Sequence, residues 1–389
     1  MYHVQMISKV VFLGPFNPQK VLPSFQGGNF PVSHGAYPFE QFVLEMKKIY
    51  PEVFVISLSQ LVEEVTTYQF ENLKVYLVPQ RKRARQFAID FYKLEIKHLI
   101  YLIEQIDPNV INAHWTYEYA MAAAKSKRPH LITVHDYPPI IFKFYRNFYR
   151  LILLIMSLQL RFRTQDFVYV SNYLKNKWTS GYFLRYEQPV ISNFSSLTFE
   201  NSIHNKNGQV ICIGNSSRLK NVKKLLKAWQ LVEKQNQNLK LVLIGPGLGK
   251  NDKLHQWALK RINAHNIEWC GALNRDDLVQ MLRNSTILVH PSHEESQGLV
   301  LIEAMAVGVP TISGIKSGGN VETVGDAGIL IDITDKYEIS KAILDLSENI
   351  ELRIQLIAKG IERHKNFFRP IVILGKYKEL FEKQIKKVK

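Results

Sequence analysis

The chain has 389 residues, of which 46% are hydrophobic and 22% are charged. This length suggests two domains, and the apolar content excludes a mostly disordered protein. Cys212 and Cys270 are the only cysteines and each lies in an apolar run, which excludes a disulfide scaffold and is typical of a reducing compartment. The net charge of +16 fits a phosphorylated substrate, an anionic membrane or a nucleic acid as partner.

Strand-like and helix-like segments alternate along the first half of the chain. Short β-rich runs predict strands at 9–14, 53–58, 73–78, 110–114, 131–135 and 167–170. Apolar residues at helical spacing predict helices over 38–49, 87–106 and 118–125. Strands that alternate with helices favour a parallel sheet covered by helices on both faces.

The second half repeats this order, with strands predicted at 210–214, 239–245, 267–271, 287–291, 311–314 and 329–332. Residues 193–207 are rich in Ser and Asn, which is typical of a linker. We therefore predict an α/β protein with two Rossmann-like, doubly wound parallel-sheet domains that face a central cleft. Residues 1–195 form the first domain and 196–368 the second, and a C-terminal helix at 369–389 packs back on the first domain.

The segment from Pro291 to Pro310 is the strongest candidate for chemistry, because ligands of such sheets bind outside the carboxyl ends of the strands. Glu295 lies in its loop, and Glu303 follows after seven intervening residues, inside a predicted helix. A carboxylate can accept two hydroxyl hydrogen bonds, which suits a sugar diol. The N–H groups at the start of the helix suit a phosphate. From spacing alone, two solvated acids at a helix start are the favoured alternative, since acids are common there.

This segment resembles the retaining glycosyltransferases of family four, also called glycosyl transferases group 1, which have the GT-B fold. Pro-Ser precedes the E-x7-E spacing here, and Glu-Ala-Met-Ala-Val-Gly-Val-Pro ends it. The similarity continues through 317–322, 214–222 and 243–247. The resemblance implies a nucleotide-diphosphate sugar donor, such as a UDP- or GDP-sugar, and retention of configuration.

The resemblance also implies roles for individual residues of the second domain. Glu303 matches the residue that holds the ribose hydroxyls, Glu295 matches a residue that contacts the donor sugar, and Lys220 matches the lysine that clamps the diphosphate. Asn215 stands where the family usually has an arginine, and Arg218 is a candidate to replace that charge. The remaining donor-binding candidates are Gly214, Gly245, Gln297, Gly298 and Leu299.

In the first domain, the resemblance assigns His135 to the face of the donor sugar, so that His135, Glu295 and Lys220 are the predicted catalytic residues. The alternative for His135 is a histidine satisfied by local hydrogen bonds. On the acceptor side we predict Gly27 and Gly28, which match the family's glycine-rich loop poorly. The other acceptor-side candidates are His114 and Trp115.

The chain contains no Asp-x-Asp tripeptide, so we predict metal-independent catalysis and no cofactor. Residues 142–163 interleave basic and aromatic side chains, and Arg81–Arg85 is a second basic cluster. Both favour an anionic membrane face, while a core helix with solvated charges is the alternative for the first segment. No nucleic-acid-binding motif accompanies the charge. With no signal peptide and no apolar run of spanning length, we expect a cytoplasmic location, peripheral on the inner face of the membrane.

The predicted function is that of a glycosyltransferase of the hexosyltransferase type. It would transfer a sugar to a glycan or lipid-linked acceptor in the synthesis of cell-envelope polysaccharide or glycolipid. A nucleotide-sugar epimerase on the same fold and a catalytically silent nucleotide-sugar-binding subunit are the alternatives, and Asn215 supports the second. The sequence leaves the base, the sugar and the acceptor open.

Overall fold

A computed structural model describes residues 7–18, 36–182, 188–200 and 208–388. The chain divides into two compact units, each with its own sheet. The first unit comprises Met1–Ile191 together with Ile373–Lys389, and the second comprises Ser192–Val372.

Seven strands form the sheet of the first unit. They are β1 (Lys9–Leu13), β2 (Glu52–Ser59), β3 (Thr66–Phe70), β4 (Leu73–Pro79), β5 (Val110–His114), β6 (His130–Val134) and β7 (Phe167–Tyr169). Their order is β3-β4-β2-β1-β5-β6-β7, and all pairs are parallel except β3 with β4. The sequence analysis missed β3, because this edge strand alternates only between half-buried and exposed residues and has no apolar run.

Seven described helices cover this sheet. They are α1 (Tyr37–Lys47), α2 (Ala84–Ile89), α3 (Lys93–Ile106), α4 (Glu118–Lys125), α5 (Pro138–Tyr145), α6 (Phe148–Leu160) and α7 (Asn172–Gly181). The prediction of one helix over 87–106 is wrong, because Phe91 and Tyr92 have φ of 55° and 59° and separate α2 from α3. Arg81 stabilises this break, since it pairs with Asp90 after α2 and with Glu95 in the first turn of α3.

The sheet of the second unit has the order β10-β9-β8-β11-β12-β13, with all described pairs parallel. Its strands are β8 (Gln209–Ile213), β9 (Lys240–Ile244), β10 (Ile267–Gly271), β11 (Ile287–His290), β12 (Thr311–Gly314) and β13 (Ile329–Ile331). Its helices are α8 (Val222–Gln235), α9 (Lys253–Leu259), α10 (Arg275–Arg283), α11 (Leu299–Ala306), α12 (Asn320–Val324), α13 (Lys336–Glu348) and α14 (Ile350–Phe367). The two sheets confirm the prediction of two doubly wound α/β domains.

The last helix, α15 (Pro370–Val388), places its later residues in the first unit. The ring of Tyr377 packs 4.7 Å from that of Phe42, and its hydroxyl lies 3.2 Å from Thr133 Oγ1. Phe381 is fully buried beside Phe12. Among all helices that the structure describes, none is long and apolar enough to cross a bilayer.

Candidate active site

Glu295 lies in the loop between β11 and α11, where two side chains hold it from neighbouring strand ends. Lys220 Nζ, after β8, donates to Glu295 Oε1, and His290 Nε2 donates to the same oxygen at 3.0 Å. Burial alone would raise the pKa of Glu295, but the charge of Lys220 and the hydrogen bond from His290 lower it to about 2. Glu295 is therefore ionised at neutral pH, and both contacts leave Oε2 as an acceptor.

Glu303 is held in the same manner by a different cation. It lies within α11 and is buried, and Arg275, the first residue of α10, donates Nη2 to its Oε1 at 2.6 Å. Burial raises the pKa of Glu303, while the charge of Arg275 lowers it. Each carboxylate is thus fixed by a cation through Oε1, which leaves Oε2 able to accept hydrogen bonds from hydroxyl groups.

The loop that carries Glu295 is fixed by the segment before α12. Gly319 N donates to Glu295 O at 2.8 Å, and Ser317 Oγ donates to Ser292 O at 2.6 Å. A Cβ on Gly319 would lie 2.0 Å from Ser296 O, so only glycine allows this approach. The backbone that leads into α11 is therefore held in place by the protein itself.

The first N–H groups of α11 have no acceptor within the helix, which is the feature that suits an anion at Gly298 and Leu299. The side chain of Gln297 has a different partner from the predicted donor. Gln297 is buried and its Oε1 accepts from Asn193 N at 2.7 Å. We therefore assign its side chain to the support of residues 192–195 and leave only its main chain as a donor-binding candidate.

The turn after β8 carries the other predicted donor-binding residues. Gly245 has φ of +132°, and a Cβ there would lie 1.7 Å from Gly214 O, so these two strand ends touch through their backbones. Asn215 Oδ1 accepts from Ser217 N at 3.0 Å and so shapes the turn. Arg218 is exposed, and its charge contributes, after burial, to lowering the pKa of His293 in the Glu295 loop. Arg218 therefore adds positive charge to this strand edge.

In the first unit, a chain of hydrogen bonds connects the predicted residues His114 and His135. The rings face each other after β5 and β6, with His114 Nδ1 at 2.8 Å from His135 Nε2. His114 Nε2 lies 2.9 Å from Asn112 Oδ1, and Asn112 Nδ2 donates to Leu131 O at 3.0 Å. Burial lowers the pKa of His135 to about 3 and that of His114 well below its usual range, so both rings are neutral at pH 7.

This network determines the tautomer of His135. Leu131 O can only accept, so Asn112 must present its amide nitrogen there and its oxygen to His114. His114 Nε2 then carries the proton, and its Nδ1 accepts from His135 Nε2. The neutral ring of His135 is left with a lone pair on Nδ1. His135 is therefore arranged to accept a hydrogen bond from a ligand through Nδ1.

Trp115 lies between His135 and a cavity of about 240 Å³. It has φ of +65°, and its ring centroid is 4.6 Å from that of His135. In the cavity, Asp136 Oδ2 accepts from Tyr117 Oη at 2.8 Å, while Asp136 Oδ1 is buried without a partner among the described residues. Burial raises the pKa of Asp136 to about 6 and that of Glu118 to about 7. The cavity therefore offers an aromatic face beside an unsatisfied carboxyl oxygen of Asp136 and the carboxyl group of Glu118.

The structure thus gathers the predicted residues in two groups, one in each unit. Lys220, Glu295 and Glu303 form the first group, and His114, Trp115 and His135 form the second. Gly27 and Gly28 lie outside the described residues. Several residues of the two groups were not predicted from the sequence, namely Arg275, His290, Asn112, Glu118 and Asp136. Within the described ranges, no three His, Cys, Asp or Glu side chains cluster as metal ligands would.

Two protein families match this chain, one in each unit. The family described as "Glycosyl transferases group 1" matches residues 194–363, and the one described as "Glycosyl transferase 4-like" matches residues 32–172. The chain belongs to the group 1 glycosyltransferases of the GT-B fold. This assignment confirms the resemblance found in the sequence.

Relatives and solved structures agree with this assignment. An uncharacterised glycosyltransferase of Methanocaldococcus jannaschii is 25% identical over 84% of this chain and 92% of its own length. The O-antigen chain mannosyltransferase B of Escherichia coli is 32% identical over 41% of this chain and 42% of its own length. The sucrose-phosphate synthase of Thermosynechococcus elongatus matches the fold of this group 1 glycosyltransferase with a TM-score of 0.77 at 15% identity, covering 98% of this chain and all of that one. HepE of Anabaena, solved with UDP and glucose, matches with a TM-score of 0.71 at 16% identity over 96% and 98% of the chains.

Proposed function

We propose that this glycosyltransferase transfers a sugar, with retention of configuration and without a metal ion, from a nucleoside-diphosphate sugar to a glycan or lipid-linked acceptor. The second unit holds the donor and the first unit holds the acceptor. The observation that carries the proposal is a pair of carboxylates, Glu295 in the loop before α11 and Glu303 within α11, that cations hold through Oε1. The complex of HepE with UDP and glucose supports a nucleotide donor for a protein of this fold.

In this proposal the protein positions the donor and stabilises the charge that develops on the leaving group. Glu303 accepts the ribose hydroxyls and Glu295 accepts a hydroxyl of the donor sugar. Lys220 and the N–H groups at the start of α11 stabilise the negative charge that grows on the leaving diphosphate. The leaving phosphate takes the acceptor proton on the face where the new bond forms, so that the protein needs no strong general base. The lone pair of His135 Nδ1 orients the donor sugar.

We place the acceptor in the cavity beside Trp115. Aromatic faces pack against the apolar face of a sugar ring, and carboxyl oxygens accept from its hydroxyls. Asp136 Oδ1, buried without a described partner, and Glu118 provide such oxygens. The half-buried Arg150 adds a cation for an acidic or phosphorylated acceptor.

We further propose that the enzyme acts in cell-envelope polysaccharide or glycolipid synthesis, in the cytoplasm and peripherally on the inner face of the membrane. Relatives include the capsular polysaccharide glycosyltransferase CapM of Staphylococcus aureus, 21% identical over 82% of this chain and 87% of its own. Segment 142–163 supports the membrane contact, because exposed apolar residues lie along α6 and basic residues lie before and after it. The cluster at Arg81–Arg85 supports it less, because Arg81 is paired with Asp90 and Glu95.

Transfer can be tested with a panel of nucleotide sugars and polysaccharide-stripped membranes as the acceptor source. We expect acceptor-dependent release of one nucleoside diphosphate and a product whose anomeric configuration, read by NMR, matches the donor. An inverted product would contradict the proposed retention. Donor binding without turnover would favour a silent subunit, and free sugar or an epimer without acceptor would favour an epimerase.

The ion pair of Arg275 with Glu303 leads us to expect a specific pH dependence of nucleotide binding. Glu303 must be ionised to accept two hydroxyls, and burial already raises its pKa. Without the charge of Arg275, the pKa rises further, so Arg275→Gln should lose nucleotide affinity at a higher pH than wild type as the pH falls. Calorimetric affinities between pH 5 and 8, with Arg283→Gln at the end of α10 as control, measure the shift. Parallel pH curves for wild type and Arg275→Gln would reject this role.

His114 is predicted to act through the tautomer of His135. The variant His114→Phe keeps a ring beside Phe39 and His135 but removes the acceptor for His135 Nε2. We expect kcat to fall about tenfold, a typical value for one lost hydrogen bond, with nucleotide affinity unchanged. The control Thr133→Val removes a contact of Asn112 that the tautomer does not need, because Leu131 O remains. Equal loss of kcat in both variants would show a purely structural role.

A further inference from the structure

A second and larger cavity, of about 720 Å³, opens on the first unit away from the predicted acceptor side. It lies at the amino ends of β6 and β7, whereas His114 and His135 follow the carboxyl ends of β5 and β6. Four segments line it: residues 130–131 at the start of β6, residues 161–167 from the end of α6 to the start of β7, residues 188–189, and the last turns of α15. We call it the basic cavity, and no step of the proposed transfer uses it.

The described lining of the basic cavity carries more positive than negative charge. Its cations are Arg161, Arg163, Lys383 and Lys387, and Asp166 is its one carboxylate. Asp166 Oδ1 pairs with Lys387 Nζ at 2.6 Å. No carboxylate in the described part of the chain forms an ion pair with the other three cations. This concentration of unpaired positive charge suits an anion with more than one charge.

Part of the basic cavity is fixed without a ligand. Arg161 Nη1 donates to Tyr182 O at 2.5 Å, and its guanidinium lies 4.4 Å from the ring centroid of Phe162. Gln384 and Thr164 form buried walls, and Gln384 Nε2 donates to Asp166 Oδ1 at 3.0 Å. The guanidinium is therefore oriented in advance, with further N–H groups to donate to an anion.

An exposed apolar stripe leads to the rim of this cavity. Its exposed members are Phe148, Leu151 and Leu158 on α6 and Phe162 just after the helix. Ile155 lies on the same face but is half-buried and packs against the core. Phe148 is 57% exposed and Phe162 is 77% exposed. The other end of α6 contributes Tyr149, Arg150 and Leu153 to the cavity beside Trp115. The helix is about 20 Å long, so one surface joins the predicted acceptor cavity to the basic cavity.

We propose that the basic cavity binds the phosphate of an anionic lipid headgroup while the α6 stripe enters the outer part of the acyl layer. The pairing of apolar side chains with adjacent unpaired cations matches the two parts of such a lipid. Bound in this way, α6 lies on the membrane and the cavity beside Trp115 opens at the depth of lipid headgroups. The inference rests on the membrane location in the proposed function but not on the transfer reaction.

Vesicle co-sedimentation of the full chain tests this assignment. Vesicles of phosphatidylcholine alone are compared with vesicles that also contain phosphatidylglycerol. The variant Arg163→Gln/Lys383→Gln removes two exposed cations of the basic cavity, and Lys227→Gln/Lys234→Gln removes two exposed cations of α8 as a matched control. We expect about 30-fold weaker binding to the anionic vesicles for the cavity variant and near wild-type binding for the control.

Two further experiments test separately the contribution of the apolar stripe and the identity of the anion. Phe162→Ser should weaken vesicle binding while the dependence on phosphatidylglycerol is kept. Calorimetry with inorganic phosphate and pyrophosphate asks whether a free anion is the ligand. Equal losses in the cavity and control variants would overturn the site, and tight binding of free phosphate without vesicle binding would overturn the lipid assignment. Because no arm uses nucleotide or turnover, a failure of the transfer proposal would leave these results unchanged and distinguishable.

Discussion

Replacing Lys220 with alanine is expected to lower kcat about 100- to 1000-fold, the loss typical when one group that stabilises transition-state charge is removed. Lys220 lies after β8 and its ammonium reaches Glu295 in the loop before α11. When the donor binds, we expect the Lys220 ammonium to contact both Glu295 and the diphosphate. Steady-state kinetics at saturating donor measure the effect, because the loss should appear in kcat.

Two controls separate this role from a loss of stability. Without Lys220, His290 is the one described side chain that still contacts the Glu295 carboxylate, so the loss of this partly buried ion pair should lower the stability of the folded state. The double variant Lys220→Ala/Glu295→Gln also removes the charge of Glu295 and should recover much of the unfolding temperature but not the activity. Lys227→Ala on α8 should behave as wild type. Wild-type kcat in a folded Lys220→Ala protein would contradict the assignment.

Replacing Glu303 with alanine is expected to weaken nucleotide binding about 30- to 100-fold. The ribose loses hydrogen bonds to a charged acceptor, which are worth about 1.5–3 kcal/mol. Arg275 also loses its ion pair with the Glu303 carboxylate. Calorimetry with a nucleoside diphosphate measures the change directly, with no need for the acceptor.

The matched variants for Glu303 differ in charge and position. Glu303→Gln keeps one carbonyl oxygen and the shape of the side chain, so an intermediate affinity is expected. Glu351→Ala removes an exposed carboxylate in the first turn of α14 and should not change affinity. Equal affinities in Glu303→Ala and Glu351→Ala would place the ribose elsewhere.

The sequence was sufficient to predict the α/β architecture, because buried parallel strands are continuous apolar runs that any reader of the pattern can find. It was not sufficient for the break between α2 and α3. Periodic apolar residues cross that break, and its cause is the long-range pairing of Arg81 with Asp90 and Glu95. The edge strand β3 was missed because an exposed edge has little apolar pattern.

The candidate site likewise contains residues that could be predicted from the sequence and residues that could not. Glu295 and Glu303 could be predicted because they belong to one short segment with a recognisable spacing. Arg275 could not, because it is 28 residues from Glu303 in the sequence and contacts it only in the folded chain. His290 could have been found near the end of the predicted strand 287–291, five residues before Glu295. Gln297 and Asn215 were predicted to bind the donor, and in the structure their side-chain oxygens accept from Asn193 N and Ser217 N.

The most direct test of the central claim is thermal unfolding of the wild type and of Glu303→Ala with UDP, GDP, ADP and dTDP. A ligand at about 100 times its Kd adds roughly 2.7 kcal/mol to the stability of the folded state, which raises the midpoint by several degrees. We predict that one of the four nucleotides raises the midpoint of the wild type and that this shift is lost in Glu303→Ala. No shift with any nucleotide, or an equal shift in both proteins, would contradict the assignment of the donor site.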